Sequence, residues 1–222
     1  MFIKIRNGNL LKGNDSMNYY AMPMLIWNVF AKSFRNNLWM FDIDDPKKLI
    51  KSAKLKYQEI IGEIPKFEKN DVLLVNILSA AQLAAIYLSL PEKADVKVVE
   101  KFYSKSMNDN KIMMIILKNT KNFTKKYQKN QLKQSIKSNK ATNPYTWRYK
   151  FYYGENIDSF DAIFDKCGIC DLFKKLGIFD IVPALCAYDY EMAKYTNTIF
   201  SRETTIASGG EVCDCHYKKQ IE

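Results

Sequence analysis

Histidine is nearly absent from this 222-residue chain, and His216 is the only one. A Ser-His-Asp triad would have to be built on it, yet no nucleophile-elbow pattern accompanies it. Glycine is sparse as well, with eight residues, and neither a Walker-type loop nor a dinucleotide fingerprint is present. Uninterrupted apolar runs are also missing. The longest, residues 72–90, is broken by Asn76, Ser79, Gln82 and Ser89 and closed by Pro91. It has no flanking aromatic belt or basic stop signal, so it predicts a buried helix and no membrane span. The opening stretch MFIKIRNGNLLKG mixes charges and glycines into a short apolar segment, which is not the layout of a secretory signal. Five cysteines, an odd number without a mark of export, predict free thiols in a reducing cytoplasm rather than a disulfide framework.

Acid is missing from one long stretch. Residues 111–150 hold eleven Lys or Arg and no Asp or Glu, which leaves 23 basic against 24 acidic residues elsewhere. The formal charge of +10 is therefore local. Such a block can track phosphates, but its aromatics Phe123 and Tyr127 recur at helical spacing, as in a packing stripe rather than a base-stacking platform. A solvated helix face is the expectation, and a nucleic-acid partner is not.

What is present is enough apolar residue, 47%, to bury a full core. Apolar spacing by three and four predicts a helix over residues 17–40, with Pro23 either in its first turn or breaking it. Asp45-Pro46 caps a second helix over 47–61, which Gly62 ends. Asn70-Asp71 caps the apolar helix, and residues 94–106 form another with Val98, Val99, Phe102 and Tyr103 inward. Residues 112–117 read equally as strand or helix, and 123–138 form the basic helix.

After Asn143-Pro144 the period changes to two. YTWRYKFYY, residues 145–153, alternates as a half-buried strand, with residues 160–165 as its antiparallel partner. Helices follow over 167–177 and about 179–196. Residues 199–207 and 211–219 then read as a hairpin around Ser208-Gly209-Gly210, with the glycines where positive φ is needed. The sum is an α+β fold, in which several N-terminal helices pack on a small antiparallel sheet built mainly from the C-terminal half. One domain over 1–222 is expected, helical over about 17–140 and mixed over about 141–222.

Strand alternation places Cys213, Cys215 and Tyr217 on one face and Asp214 and His216 on the other, with Arg202, Thr204 and Ile206 together on the preceding strand. Cys213 is then either an inert core thiol or a pocket thiol activated by a positive charge such as Arg202. Cys167-x-x-Cys170 has knuckle spacing and, with Cys213-x-Cys215 and His216 in reserve, could supply ligands to zinc. Against this, residues two apart in a strand lie about 7 Å apart along the chain. A redox dithiol at Cys167 and Cys170 would want a βαβ setting that the hairpin-like flanks do not offer.

The runs LCAYDY from Leu185 and SRETTIASGGEVCD over 201–214 resemble the L-2-amino-thiazoline-4-carboxylic acid hydrolase family. Its signature reads LC, two residues, D, then R-x-x-T-L/I-A-x-G-G-x-x-C-D-F-R-F/Y. Cys186 and Asp189 match the first part, and Arg202, Thr205, Ile206, Ala207, Gly209, Gly210, Cys213, Asp214 and Tyr217 match the second. Cys170, in CGICDLFKKLG, resembles a cysteine that the family places ahead of a helix. The resemblance covers the last third of the chain. It departs where the family has Phe and Arg after Cys-Asp and this chain has Cys215 and His216, which removes a permanently charged bidentate donor.

The resemblance implies hydrolysis of a small cyclic amidine to an N-carbamoyl amino acid, a non-peptide C–N hydrolase without cofactor. That chemistry needs a carboxylate anchor, a nucleophile or activated water, and an acid for the leaving nitrogen. The residue types assign Arg202 to the anchor and Cys213 or Cys186 to the nucleophile. Asp189 or Asp214 handles protons, and backbone N–H groups near Gly209-Gly210 face developing charge. Thr205 and His216 complete the expected substrate-binding set. The alternatives are a cross-strand Arg202–Asp214 pair that only fixes the hairpin, and a non-catalytic small-molecule sensor that keeps the family fold. A small-molecule substrate is the expected partner, with a second copy of the chain left open.

Overall fold

The computed structural model describes residues 17, 19–68, 71 and 73–221. The opening stretch read for a leader, together with Asn70 and Val72 at the entry to the apolar helix, lies outside the described residues. Six helices come first. Helix α1, Met22–Asn37, carries Pro23 in its first turn and buries Ile26, Trp27, Phe30 and Phe34. The predicted longer helix ends there because the chain tightens into a 3-10 turn over Leu38–Phe41 and reverses at Asp42, whose φ is +50°. Helix α2, Pro46–Glu63, starts where Asp45 accepts a hydrogen bond from the Lys48 amide at 2.9 Å. Gly62 lies inside α2 rather than ending it.

Helix α3, Leu74–Tyr87, is the apolar run and buries ten residues. At its centre the fully buried Gln82 donates through Nε2 to the Trp27 carbonyl at 3.2 Å. Among the described residues no helix is long and apolar enough to cross a membrane. Helix α4, Val96–Asn108, turns Val99, Phe102 and Tyr103 inward as its spacing predicts, but leaves Val98 only half-buried at the edge of that face. The ambiguous stretch is helix α5, Lys111–Asn119, settled by Asn110 capping the Met113 amide at 3.0 Å. Helix α6, Lys125–Ser138, is the basic helix. Tyr127, with Phe123 just before it, packs on Phe160 at ring distances of 6.0 and 5.7 Å.

The sheet has the order β1-β2-β4-β3 with every neighbour antiparallel, from β1 (Arg148–Tyr153), β2 (Ser159–Lys166), β3 (Thr198–Ser201) and β4 (Cys213–Lys219). Helix α7, Gly168–Lys175, and helix α8, Val182–Tyr195, lie between β2 and β3 in sequence. Register puts Tyr149, Phe164 and Cys213 in one inward row, Phe151, Ala162 and Cys215 in the next, and Phe160, Tyr217 and Phe200 in a third. These side chains form the sheet's inner layer, where Phe160 and Tyr217 stack at 4.7 Å. Asp161, Asp214, His216 and Lys218 project from the opposite face. The protein is thus α+β, with most helices ahead of a small antiparallel sheet.

The C-terminal hairpin differs from its prediction. Strand β3 stops at Ser201, and residues 202–212 form a loop containing a 3-10 turn over Ile206–Ser208. Thr205 starts that turn by accepting the Ser208 amide at 3.0 Å, and Gly209 ends it with φ +89°. Positive φ is needed at Gly209 to leave a 3-10 turn, not to close a two-residue hairpin. The alternation of Arg202, Thr204 and Ile206 therefore does not hold, since these residues are not in a strand.

Candidate active site

Helix α8 holds Cys186 and Asp189 three residues apart, on one face. Its buried Leu185 and Tyr188 anchor it, and Tyr188 donates to Asn108 Oδ1 of α4 at 3.0 Å. Arg202, just past β3, folds back over α8. Its Nη1 donates to Asp189 Oδ2 and its Nη2 to the Cys186 carbonyl, each at 2.6 Å. The guanidinium also lies over the rings of Tyr190 and Phe200 at 5.3 Å from each. Its side chain is only 7% exposed. A cation so deeply placed needs this pairing, because desolvation without a partner is costly.

From the sheet side, the inward row of β4 brings Cys213, Cys215 and Tyr217 against these groups. From α7, Cys167 enters at the helix start. Gly168 beside it is obligatory, since a Cβ there would lie 1.8 Å from the Tyr145 carbonyl oxygen. Together these elements enclose a chamber of about 250 Å³ whose walls include Trp147, Phe164 and Leu185. Its polar lining includes Asn76, Asp189, Arg202, Tyr217 and the four thiols of Cys167, Cys186, Cys213 and Cys215. Asp189 keeps 38% of its side-chain surface accessible, as a carboxylate bordering a hollow does. On the far side of Arg202 and Cys186 a second, outer cleft of about 440 Å³ is lined by Lys97, Glu100, Thr204, Thr205 and Gly210. Arg202 and Cys186 belong to both walls and form the partition.

The thiols differ sharply in environment. Burial, then the Asp189 carboxylate, pushes the Cys186 thiol up to about 12. The same two causes bring Cys215 to about 12, against a smaller opposing pull from Arg202. Burial also raises Cys213, whose Sγ accepts the Ile206 amide at 3.3 Å. Cys167 moves the other way. The neighbouring Cys170 thiol lowers it most, burial opposes, and the amides of Cys170 and Ile169 add to the lowering. Cys170, fully enclosed, is raised by the neighbouring Cys167 thiol and by burial. Burial raises the Asp189 carboxyl while Arg202 pulls it down.

Of the residues predicted from sequence, Cys186, Asp189, Arg202 and Cys213 meet at this chamber. Asp214 and His216 do not, because β4 alternation turns them to the opposite face. Asp214 instead clamps the loop by accepting the amides of Thr204 at 2.7 Å and Glu203 at 3.2 Å. Burial alone would raise its carboxyl, but these amides outweigh it and hold it at about 2. The cross-strand Arg202–Asp214 pair is therefore absent, and the partner of Arg202 is Asp189. His216 Nδ1 lies 2.8 Å from Asp161 Oδ1, with Asp214 on its other side at 3.7 Å. Thr205 and Gly210 line the outer cleft, and Gly209 closes the turn.

The backbone amides proposed to face developing charge are already committed, Gly209 N–H to the Ile206 carbonyl and Gly210 N–H to the Thr205 carbonyl. The tetrathiolate considered for zinc is not assembled: among the described residues no group of three or more His, Cys, Asp or Glu is disposed to hold a metal ion. The thioredoxin-like setting fails too, as β2 and β4 are antiparallel. All five cysteines stand as thiols.

Sequence reasoning missed Cys167 as a chamber residue and treated it only as half of a pair. The available signal was its position directly before a helix, where amide dipoles favour a thiolate. It also missed Trp147 as a wall, since aromatic alternation marks an inward face without saying whether that face is filled.

No curated protein and no solved structure matches the chain. The family model described as L-2-amino-thiazoline-4-carboxylic acid hydrolase does match, over residues 76–217, a span containing every residue that lines the chamber except Leu73. On that match, which covers more than half of the sequence, the chain belongs to the L-2-amino-thiazoline-4-carboxylic acid hydrolase family.

Proposed function

We propose that the chamber binds a small cyclic amidine bearing a carboxylate, of the 2-amino-thiazoline-4-carboxylate kind, and opens it to an N-carbamoyl amino acid. One observation carries this reading: Arg202, Asp189 and four thiols border a single hollow of about 250 Å³. That volume lies below the roughly 300–1,000 Å³ of drug-sized sites and suits a compact metabolite. Arg202 in the partition offers the cation for the carboxylate. Asp189, raised by burial and lowered by Arg202, is placed to give and take protons at the reacting atoms.

The product constrains the bond that breaks. Water adds across C=N and the ring nitrogen takes a proton. The tetrahedral carbon then collapses with release of the ring sulfur, which leaves as a thiol. The leaving group is sulfur rather than the nitrogen expected from sequence, because an N-carbamoyl product keeps its C–N bond. Appearance of one new thiol per substrate consumed tests the reading directly. Consumption without a thiol, or no consumption at all, overturns it.

A non-catalytic binding domain is favoured by one specific observation. Arg202 already donates to Asp189 and to the Cys186 carbonyl, so part of its hydrogen-bonding capacity is spent inside the protein. That alternative predicts saturable binding of the amidine with no chemical change.

A further inference from the structure

We propose that the outward face of α5, with the lysines around it, docks on a lipid surface that carries anionic headgroups. The proposal is independent of the ring-opening reading, since neither the chamber nor the outer cleft takes a wall from α5.

Helical period sets the face. Positions 112, 115, 116 and 119 fall on one side of a helix. In α5 the first three are isoleucines, and Ile112, Ile115 and Ile116 are 51%, 61% and 56% exposed. The inner side is held by Leu117, the one buried residue of α5, and by Met113, which packs on the main core. A solvated helix turns branched apolar residues inward, whereas α5 leaves three of them together in water.

Charge says what covers the row. Lys111 and Lys118 lie on α5 itself, Lys121 follows it, and Lys125 and Lys126 open α6; all five are exposed. Among the described residues none of the five is held in an ion pair, and residues 111–150 contain no acidic group. A second copy of the chain would bring the same lysines against these, so like charge opposes self-association through this face. Nucleic acid lacks a stacking platform here, because the exposed apolar groups are aliphatic and Phe123 and Tyr127 are engaged with Phe160. A peptide anchors its apolar side chains in a groove, but this row stands on a helix that buries a single residue. An anionic bilayer matches both features. Isoleucine enters the boundary between headgroups and acyl chains, and the lysine stems reach back to the phosphates.

The backbone of α5 supports the same occupant. Bare carbonyls are costly where water is scarce. Asn119 Nδ2 donates to the Ile115 carbonyl and Thr120 Oγ1 to the Ile116 carbonyl, each at 2.8 Å, so the last turn beneath the isoleucines has these acceptors filled by its own side chains. Asn110 fills the Met113 amide at the other end. The helix lies on the surface and does not cross it, because nine residues are too few to span a bilayer.

The test uses the full chain and vesicles of phosphatidylcholine, either alone or with roughly one-third phosphatidylserine. The wild-type protein should sediment with the anionic vesicles, far less with the neutral ones, and less as salt rises. Replacing Ile112, Ile115 and Ile116 together by serine should lower the partition coefficient at least about tenfold. The thermal midpoint should hold, since all three side chains are exposed. Replacing Lys111, Lys118 and Lys121 by glutamine should lower partition on the order of 10²-fold, from about fivefold per lysine. Ile116→Trp should add a blue-shifted emission on anionic vesicles that the wild-type protein does not show. Absence of sedimentation, equal binding to both vesicles, or binding unchanged by the serine substitutions each overturns the proposal. A dimer that the serine substitutions abolish, without vesicle binding, assigns the face to a second copy. Single-stranded RNA retained in a gel shift by the lysines, again without vesicle binding, assigns them to nucleic acid.

Discussion

Arg202 reaches across from the end of β3 to Asp189 of α8 at 2.6 Å, and this contact is the partition between the inner chamber and the outer cleft. The guanidinium is also braced by two aromatic rings and a backbone carbonyl, so it cannot swing away without uncovering a buried charge. The proposed chemistry and the stability of the partition therefore meet at one residue pair.

Replacing Asp189 by Asn keeps the shape of the partition but removes the charge that offsets Arg202. The variant should lose about 1.5–3 kcal/mol in urea unfolding, the usual worth of a hydrogen bond to a charged group. If the proposed ring opening uses this carboxylate for proton transfer, as we infer, its rate should fall as well. A variant with wild-type stability would mean that the Arg202 charge is satisfied elsewhere.

Gly168→Ala places a methyl against the Tyr145 carbonyl oxygen, at 1.8 Å in the undisturbed backbone. The first turn of α7 must shift, and Cys167 with it. Stability should fall by about 1–3 kcal/mol, as for overpacking in general. Gly62→Ala offers a control, since nothing lies within 4 Å of the added carbon and its φ is not positive. It should stabilise α2 slightly.

The pH dependence of stability has a definite sign at Asp214. Its folded carboxyl, at about 2, lies below the ordinary 3.8, so its contribution is present above 3.8 and is lost as pH falls towards 2. Unfolding followed between pH 5 and 2 should lose stability in that window, and Asp214→Asn should flatten the loss. The mutant's effect on ring opening should be indirect, through the loop that carries Thr204 and Thr205.

His216→Arg restores the residue type of the family signature. His216 lies on the outward face of β4 beside Asp161, away from the chamber, so turnover should change by no more than about twofold, as for surface substitutions in general. A large gain in activity would place the outward face of the sheet in the site.

The helices were legible because their period is local. The apolar stripe of α1, the Asp45-Pro46 start of α2 and the inward set of α4 each follow from spacing within a few residues. The strand alternation of β4 was equally local, and it correctly divided Cys213 and Cys215 from Asp214 and His216. The loop after β3 was misread because alternation was extended past Ser201. There the chain leaves the sheet to carry Arg202 down to α8, and no short-range pattern encodes that departure.

By itself, then, the amino-acid order determined the family, the layout of helices ahead of a small sheet, and which side chains of each element share a face, since all of these depend on neighbours along the chain. Tertiary structure alone decided the partner of Arg202, the withdrawal of Asp214 into a loop clamp, and which of the thiols border one chamber. Those outcomes depend on which charges, amides and voids lie within a few ångströms across segments distant in sequence. Field strength and desolvation are set by that proximity in space.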